Sequence, residues 1–246
     1  MKFSVCIPNY NSSKWINRLL DSIENQTYKD YEVIIVDDKS TDDSVDKIRR
    51  RGYPPIINKR KRYNGGSRNE AVDHAKGDYL LFIDCDDYFY SDKAFEKIAK
   101  LTESNPDCVR LSYHYLVSKG EGNVTLAENT PEKLVKSLFV APWTKCIKRE
   151  LFVPFPENTL IEDVTQHIEQ VDRIETIEVC KTPIVAWNCR NEESVSRDKF
   201  SKRKNSYFRI LADVLDVNVT KPYCLEQKQA RLNQYIQVTK EKLNDL

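Results

Sequence analysis

The chain has 246 residues, of which 40% are hydrophobic and 31% are charged. This length and apolar share suffice for one large domain with its own core, which excludes a disordered tail. Because 39 basic and 38 acidic side chains leave a net charge of only +1, bulk charge gives no support to a nucleic-acid or polyanion binder.

The sequence carries neither a membrane-anchor pattern nor a metal-binding cysteine array. No apolar run reaches the roughly 18 residues of a membrane span, and the first residues lack the apolar stretch and cleavage site of a signal peptide. The seven cysteines are an odd number with no C-x-x-C pair, which disfavours a structural zinc site. We therefore expect a cytoplasmic protein with reduced, mostly buried thiols.

Strands and helices alternate in the first part of the chain. Apolar runs bounded by polar residues predict strands at 2–7, 32–36, 55–58 and 79–83. Helically spaced apolar residues and cap signals predict helices at 13–25, 42–51 and 67–76. This alternation predicts an α/β fold with a mostly parallel sheet flanked by helices.

The second half of the chain is less regular. It is predicted to contain helices at 91–103, 131–139 and 162–171, and strands at 108–117, 123–127, 174–179 and 184–189. Near the end, four apolar residues recur at helical spacing, namely Leu225, Leu232, Ile236 and Leu243. We therefore expect one domain at 1–197 and a helical C-terminal extension at 198–246.

Polar clusters follow three of the predicted strands, at Pro8–Asn11, Asp37–Ser40 and Asp84–Asp87. The carboxyl ends of parallel strands are the usual ligand sites of such sheets, so we expect these clusters to meet. Three carboxylates within Asp84–Asp87 repel one another unless hydrogen bonds or a hard divalent cation compensates their charge. A solvated acidic turn that caps the following helix is the alternative.

The motifs, taken in order, resemble the GT-A-fold family 2 glycosyltransferases over residues 3 to about 197. The matching segments are SVCIPNYN (4–11), the helix end at Ser22–Thr27, EVIIVDDKSTDDS (32–44), NGGSRNEAVDHAKGDYLLFIDCDD (64–87), APWTKCIKRELF (141–152), IEDV (161–164) and WNCRNEESVS (187–196). The resemblance implies a Rossmann-like GT-A sheet. It also implies inverting transfer of a sugar from a nucleotide sugar, most simply a UDP-sugar, to a hydroxyl of a glycan, polysaccharide or lipid-linked acceptor.

The resemblance implies a donor pocket formed by residues from several motifs, namely Pro8, Tyr10, Asn11, Asp38, Arg68, Asp84 and Arg190. Tyr10 would stack on the nucleobase, and Asp38 would accept the imide N–H of uracil unless it only caps a helix. Arg68, with Asn69, would lie beside the acidic residues and the diphosphate. Arg190 would meet the diphosphate together with Ser194 and Ser196, although Asn188-Cys189-Arg190 replaces the family's usual Tyr-Arg there.

The resemblance also implies a metal and a base. Asp86 is expected to ligate Mn²⁺ or Mg²⁺ directly and Asp84 to contact the metal or the ribose, with Asp87 as an alternative ligand. Asp163 would be the general base and Glu162 its neighbour, unless the pair serves only as acids favoured at a helix start.

The acceptor side is assigned to Trp143 and Lys145, for which packing in the core is an equal alternative. Basic clusters at Lys59–Arg62 and Lys202–Lys204, with the C-terminal apolar stripe, would suit peripheral contact with the inner face of a membrane. A solvated face and a helix packed on its own domain is the favoured alternative. Glycosylation of modified DNA bases is a minor option, and the oligomeric state is left open.

Three other classes compete with this interpretation. A nucleotidyltransferase would present a Gly-rich, basic phosphate loop where PNYN follows the first strand. A glycoside hydrolase would leave Asp38, Arg68 and the acidic cluster unexplained. A degenerate sugar-nucleotide-binding module would have lost metal or base carboxylates, and the sequence shows no such loss.

Overall fold

The centre of the molecule is a mixed nine-stranded sheet with helices on both faces. The computed structural model describes residues 1–117, 120–137, 140–157, 162–189, 212 and 214–244, with 238–244 as backbone alone. The strands are β1 (Phe3–Asn9), β2 (Tyr31–Asp37), β3 (Ile56–Ile57), β4 (Tyr79–Phe82), β5 (Tyr88–Phe89), β6 (Cys108–Val117), β7 (Gly120–Val124), β8 (Lys145–Lys148) and β9 (Ile177–Asn188). The helices are α1 (Ile16–Glu24), α2 (Ser44–Arg50), α3 (Tyr63–Asp73), α4 (Ala94–Leu101), α5 (Pro131–Val135), α6 (Asp163–Asp172) and α7 (Pro222–Asn244).

The strand order is β3-β2-β1-β4-β8-β6-β9-β5, and β7 pairs with the outer half of β6. The first four strands are mutually parallel, while β8 runs antiparallel to both β4 and β6. The carboxyl ends of β1, β2 and β4 therefore open on one edge of the sheet. The α/β fold with a mostly parallel sheet is confirmed, and the loops that carry the polar motifs share that edge.

Strand β1 is buried on both of its faces. Every residue of β1 is buried, with Phe3, Val5 and Ile7 facing the core under α1 and α4, and Cys6 facing the core under α3. A strand covered on both faces reads as a continuous apolar run, as the sequence predicted. The apolar residues of α1 recur at helical spacing and are all buried.

Helix α3 and strand β9 differ from their predicted bounds for reasons of tertiary structure. Helix α3 begins at Tyr63 rather than near residue 67, because the Asp38 carboxylate accepts the backbone N–H groups of Arg62 and Tyr63. The two strands predicted after residue 173 are one strand, β9. Its pairing with β6 shifts register near Pro183, and such a bulge lets a proline, which has no N–H to donate, remain inside a strand.

The start of the C-terminal helix α7 packs against the domain. Cys224 is fully buried in a cluster with residues of α5 and α6, whereas Leu225 is 48% and Ile236 is 37% exposed. The apolar stripe predicted for this helix is therefore not packed on the domain at these two positions.

Residues 198–211 lie outside the described part, so the division at 197 stays a prediction. Among the described residues, none of the helices combines the length and apolar character that crossing a bilayer requires.

Candidate active site

Asn9, at the end of β1, ties together the three loops that follow β1, β2 and β4. Its side chain is 1% exposed, and Nδ2 donates to Asp37 Oδ1 at 2.6 Å and to Ser40 Oγ at 3.2 Å. Its Oδ1 accepts from Ser12 Oγ and from Cys85 Sγ, the latter at 3.4 Å. The sequence pointed to the PNYN motif but not to Asn9 itself, which organises the loops.

The loop after β1 presents an exposed aromatic ring at the site. Tyr10 is 45% exposed, and Lys61 Nζ lies 3.8 Å from the centroid of its ring. Asn11 adopts a left-handed conformation at φ 48°, and its Oδ1 accepts the Thr41 backbone N–H at 2.8 Å. Pro8 is buried within β1. Of the residues predicted to hold a base, Tyr10 is thus the one that offers an exposed aromatic ring.

Asp38 is buried, at 3% exposure, and its carboxylate caps α3. Oδ1 accepts from the Arg62 N–H at 2.7 Å and from Asn58 Nδ2 at 2.9 Å, and Oδ2 accepts from the Tyr63 N–H at 2.8 Å. The capping alternative foreseen for this region is realised at α3 rather than α2. A carboxylate offers about four lone-pair positions, so these three donors leave one for a further partner.

Arg68 joins the two acidic motifs of the site. It is 2% exposed, and Nη2 donates to Asp84 Oδ1 at 2.6 Å while Nη1 donates to Glu162 Oε1. Burial disfavours its charge, but the adjacent Asp84 and Glu162 carboxylates outweigh that effect and raise the pKa of Arg68. Its Nε is buried without a hydrogen-bond partner among the described residues. The guanidinium therefore lies between the end of β4 and the start of α6.

The three carboxylates of the acidic turn after β4 differ in their exposure. Asp84 and Asp86 are partly exposed, whereas Asp87 is 2% exposed and its Oδ1 accepts the Asn188 backbone N–H at 2.8 Å. Burial, then the charges of Asp86 and Asp84, raise the pKa of Asp87 well above its ordinary value. Asp87 thus anchors the end of β9. Arg18, which sequence reasoning missed, donates from Nη2 to the Asp86 carbonyl at 2.9 Å.

Asp84 and Asp86 are suitable ligands for a divalent cation. Mg²⁺ and Mn²⁺ prefer oxygen ligands, and Mg²⁺ commonly takes one or two protein carboxylates with substrate phosphates and water. The residues present fit that mode by their chemistry. Within the described ranges, no group of three or more His, Cys, Asp or Glu side chains surrounds a common point.

Glu162 and Asp163 lie at the start of α6. Glu162 is 6% exposed and Asp163 is partly exposed. Burial raises the pKa of both carboxyls, while Arg68 lowers both and Lys145 also lowers that of Asp163. A carboxylate whose pKa is raised towards neutrality is better suited to accept a proton.

Trp143 and Lys145 lie inside the protein. Trp143 is 3% exposed and packs edge-on against Tyr113 at 5.3 Å between ring centroids. Lys145 is 1% exposed, and its Nζ donates to the carbonyls of Val140 at 2.8 Å and Ala141 at 3.3 Å. This is the core packing that was the alternative to acceptor contact, which stays a prediction. Arg190, Ser194 and Ser196 lie outside the described residues.

The segment after β8 is fastened to α3 close to the acidic motifs. Asn69 Nδ2 donates to the Phe155 carbonyl at 2.9 Å, and Asn69 Oδ1 accepts the Phe155 N–H at 2.8 Å. Arg62 forms ion pairs with Glu70 and Glu157. Asn69, expected beside the diphosphate, therefore supports this segment. Asn69 and Phe155 are 86 residues apart, and no local sequence pattern predicts a contact between them.

Comparison with known proteins identifies the family of the chain. The model of glycosyl transferase family 2 matches residues 4–155, more than half of the chain. A poly(ribitol-phosphate) beta-glucosyltransferase of Bacillus spizizenii is 45% identical over 100 residues, which are 37% of this chain and 16% of that protein. The chain thus matches only a small part of the length of that relative.

Two solved structures share the fold. Staphylococcus aureus TarS in complex with UDP-GlcNAc has a TM-score of 0.74 at 24% identity, covering 96% of this chain and 72% of that one. The mannosyltransferase PcManGT from Pyrobaculum calidifontis, in complex with GDP-Man and Mn²⁺, has a TM-score of 0.66 at 17% identity, covering 94% and 69%. From the family match and the fold together, the chain belongs to glycosyl transferase family 2.

Proposed function

We propose that this protein transfers a sugar from a nucleotide-sugar donor to an acceptor hydroxyl, with inversion at the anomeric carbon. The observation that carries the proposal is the double ion pair of Arg68 with Asp84 and Glu162. The end of β4 is expected to face the donor diphosphate, and the start of α6 is expected to carry the base. The Arg68 guanidinium bonds to a carboxylate from each of them, so the two lie close together. A catalytic centre for glycosyl transfer needs these two groups side by side.

The donor is a UDP-sugar in this proposal. Tyr10 would stack on the uracil through its exposed ring, with Pro8 and Asn11 lining the pocket. The lone-pair position that the three donors leave on Asp38 would accept the imide N–H of uracil. Support comes from the fold shared with TarS, whose structure holds UDP-GlcNAc.

Asp84 and Asp86 would hold the divalent cation, Mn²⁺ or Mg²⁺. A cation bound there supplies positive charge to the departing diphosphate. Support comes from the fold shared with PcManGT, whose structure holds Mn²⁺ with GDP-Man. Arg68 orients Asp84 by the 2.6 Å hydrogen bond and adds its own positive charge beside the leaving group.

Asp163 would act as the general base. The acceptor oxygen forms a bond to the anomeric carbon while the bond from that carbon to the diphosphate oxygen breaks, and the hydroxyl proton passes to Asp163. Glu162, bonded to Arg68, would hold the first turn of α6 in place. One displacement from the opposite face inverts the anomeric centre, so no covalent sugar–enzyme intermediate is required.

The acceptor is proposed to be a hydroxyl-rich polymer or glycan, with a polyol-phosphate chain as the first one to test. Support comes from the relative named as a poly(ribitol-phosphate) glucosyltransferase. Lys59, Arg60 and Lys61 are exposed beside the donor loops and would suit an anionic acceptor or an anionic membrane surface that carries it.

A thermal-shift panel tests the proposal. UDP, GDP, CDP and dTDP are each added with and without Mn²⁺, since a ligand that binds the folded state raises its apparent stability. We expect a shift with UDP that grows with Mn²⁺ and loses its Mn²⁺ dependence in Asp86→Asn. Asp73→Asn, an exposed acid at the end of α3, is the matched control. No shift with any nucleotide would contradict a nucleotide-sugar transferase.

A further inference from the structure

A buried lysine lies behind the proposed catalytic base. The ammonium of Lys145 has three protons and three acceptors, namely the carbonyls of Val140 and Ala141 and Nδ1 of His167 at 3.3 Å. His167 Nε2 lies 3.0 Å from the Leu134 carbonyl. A carbonyl can only accept, so Nε2 carries the proton and Nδ1 is free to accept from Lys145. The contacts therefore define the tautomer.

The lysine connects three separate elements. Lys145 opens β8, His167 belongs to α6, and Leu134 belongs to α5. His167 is four residues after Asp163 on α6, so the two side chains share one face of the helix, one turn apart. The bond from Lys145 to His167 thus fixes the face of α6 from which Asp163 projects.

The surroundings of Lys145 hold charges of both signs. Arg110 is 0% exposed, donates from Nη2 to Ser137 Oγ at 3.0 Å and lies with its Nε 3.4 Å from Glu128 Oε2. Arg110 and Lys145 bring two buried cations to the 140–144 segment. Glu128 and Asp163 are the carboxylates whose charges act on Lys145.

The groups that face the base come from several elements. Burial raises the pKa of Asp163, Arg68 and Lys145 lower it, and Asp84 raises it. Arg68 approaches from α3 and Asp84 from the end of β4, so Lys145 is the cation on the β8 side. An ammonium fixed by three hydrogen bonds holds its position better than an exposed one, because it has no free rotamers to visit.

We propose that Lys145 is a positioning residue that holds the first turns of α6, and with them Asp163, against the 140–141 segment. The inference rests on the proposed function for what Asp163 does. Lys145 therefore supports the base from inside the protein rather than touching the acceptor. His167 transmits the support, because its imidazole is the only part of α6 that accepts from the ammonium among the described contacts.

The test compares Lys145→Met with Lys148→Met. Methionine keeps most of the length of lysine without its charge, and Lys148 lies on the same strand but is bonded to Asp107 at 3.3 Å. UDP release from UDP-GlcNAc and UDP-glucose is measured with poly(ribitol phosphate) and with water as acceptors. For Lys145→Met we expect kcat to fall by about 10- to 100-fold, as for a misplaced catalytic group. Donor KM and the UDP thermal shift should not change.

A second variant keeps the inference testable if Lys145→Met does not fold. His167→Gln can retain the bond to the Leu134 carbonyl while removing the acceptor for Lys145, and should lower kcat in the same way. In the double variant the two losses should not add, because both remove one interaction. Unchanged kcat in both single variants, or a loss confined to donor KM, would overturn the positioning role.

Hydrogen exchange separates this inference from the proposed function. In Lys145→Met the backbone amides at the start of α6 should exchange faster than in the wild type, while those of α3 should not change. If the wild type binds no nucleotide, the proposed function fails, and exchange still decides whether Lys145 holds α6. Unchanged exchange in α6 would overturn the inference.

Discussion

Arg68 holds the centre of the site together because its guanidinium donates to a carboxylate on each side. Glu162 is 6% exposed, and a buried carboxylate without its partner would be strongly unfavourable. The arginine therefore stabilises the fold and arranges the site with the same two hydrogen bonds. The family resemblance identified Arg68, Asp84 and Glu162 as site residues, but not that one side chain joins the other two.

Asp163→Asn is predicted to remove most of the transferase activity. An amide of nearly the same shape cannot accept the hydroxyl proton, so the rate should fall by about 10²- to 10⁴-fold. The UDP thermal shift should stay, since the donor loops are untouched. The measurement is UDP release at saturating donor. A variant with more than half of the wild-type rate would rule out Asp163 as the base.

Lys145 is predicted to make stability rise with pH in the neutral range. Burial, with the charge of Arg110, lowers its pKa from 10.5 to about 7 in the folded protein. Between these values the unfolded chain binds one more proton than the folded one, so the free energy of unfolding increases with pH by about 1.4 kcal/mol per unit. Below pH 7 Lys145 is charged in both the folded and the unfolded chain, so it no longer makes the free energy of unfolding depend on pH.

Urea denaturation of wild type and Lys145→Met at pH 7, 8 and 9 measures this difference. The free energy of unfolding of the wild type should gain about 2–3 kcal/mol relative to the variant over that range. Lys148 is paired with Asp107. For Lys148→Met, the free energy of unfolding should therefore change with pH in parallel with that of the wild type. Parallel curves for Lys145→Met as well would mean that Lys145 keeps an ordinary pKa.

At the scale of elements, the start of α3 shows tertiary contacts overriding helix propensity. Glycine is a poor helix former by about 1 kcal/mol relative to alanine, yet Gly65 and Gly66 lie inside the first turns. A Cβ on Gly65 would lie 2.5 Å from the Pro156 carbonyl oxygen and 3.1 Å from Glu162 Cγ. The helix can therefore approach the segment before α6 only where no side chain intervenes.

Gly65→Ala is predicted to destabilise the protein in spite of the better helix propensity of alanine. The backbone of Pro156 cannot give way as a flexible side chain can, so we expect a loss of about 1–3 kcal/mol in the free energy of unfolding. Asn64→Ala, in the same turn, is the matched control and should change stability little. A Gly65→Ala variant as stable as the wild type would show that the segment moves freely.

At the scale of the whole molecule, the two halves of the sheet have different partners. The parallel strands β1 to β4 carry the donor loops, while β6, β8 and β9 pack with α5, α6 and the first turn of α7. The proposed base belongs to the second half and the proposed metal ligands to the first. Arg68 bonds across the boundary, so the site depends on both halves being docked.

Removal of residues 222–246 is predicted to weaken the second half without affecting donor binding. The deletion takes away the buried Cys224 but leaves Lys221, whose backbone N–H bonds Asp172 at 2.8 Å. A loss of about 2 kcal/mol should lower Tm by roughly 4–8 °C. Truncation after Gln237, which spares Cys224, is the control. If the shorter protein loses its UDP shift, α7 contributes to the site.

The sequence predicted the alternation of elements from β1 to β4 well because hydrophobic periodicity and turn residues act over short distances, whereas β5 and β8 were not predicted. Strands β1, β2 and β4 lie within two residues of their predicted bounds. The burial of Trp143 and Lys145 was left open, because a motif in sequence does not say which way a side chain points. Because of Pro183, the sequence predicted two strands where the structure has one. The bulge that accommodates this proline depends on the pairing of β9 with β6.

What the sequence by itself determined is the family, the order of elements from β1 to β4 and the clusters of polar residues at the strand ends, since each follows from local pattern. What only the tertiary structure decided is which of these residues meet. Arg68 and Glu162 are 94 residues apart, and their contact requires the antiparallel β8 to lie beside β4. Long-range pairing and desolvation, which no local pattern encodes, therefore set the geometry of the site and the burial of Lys145 behind it.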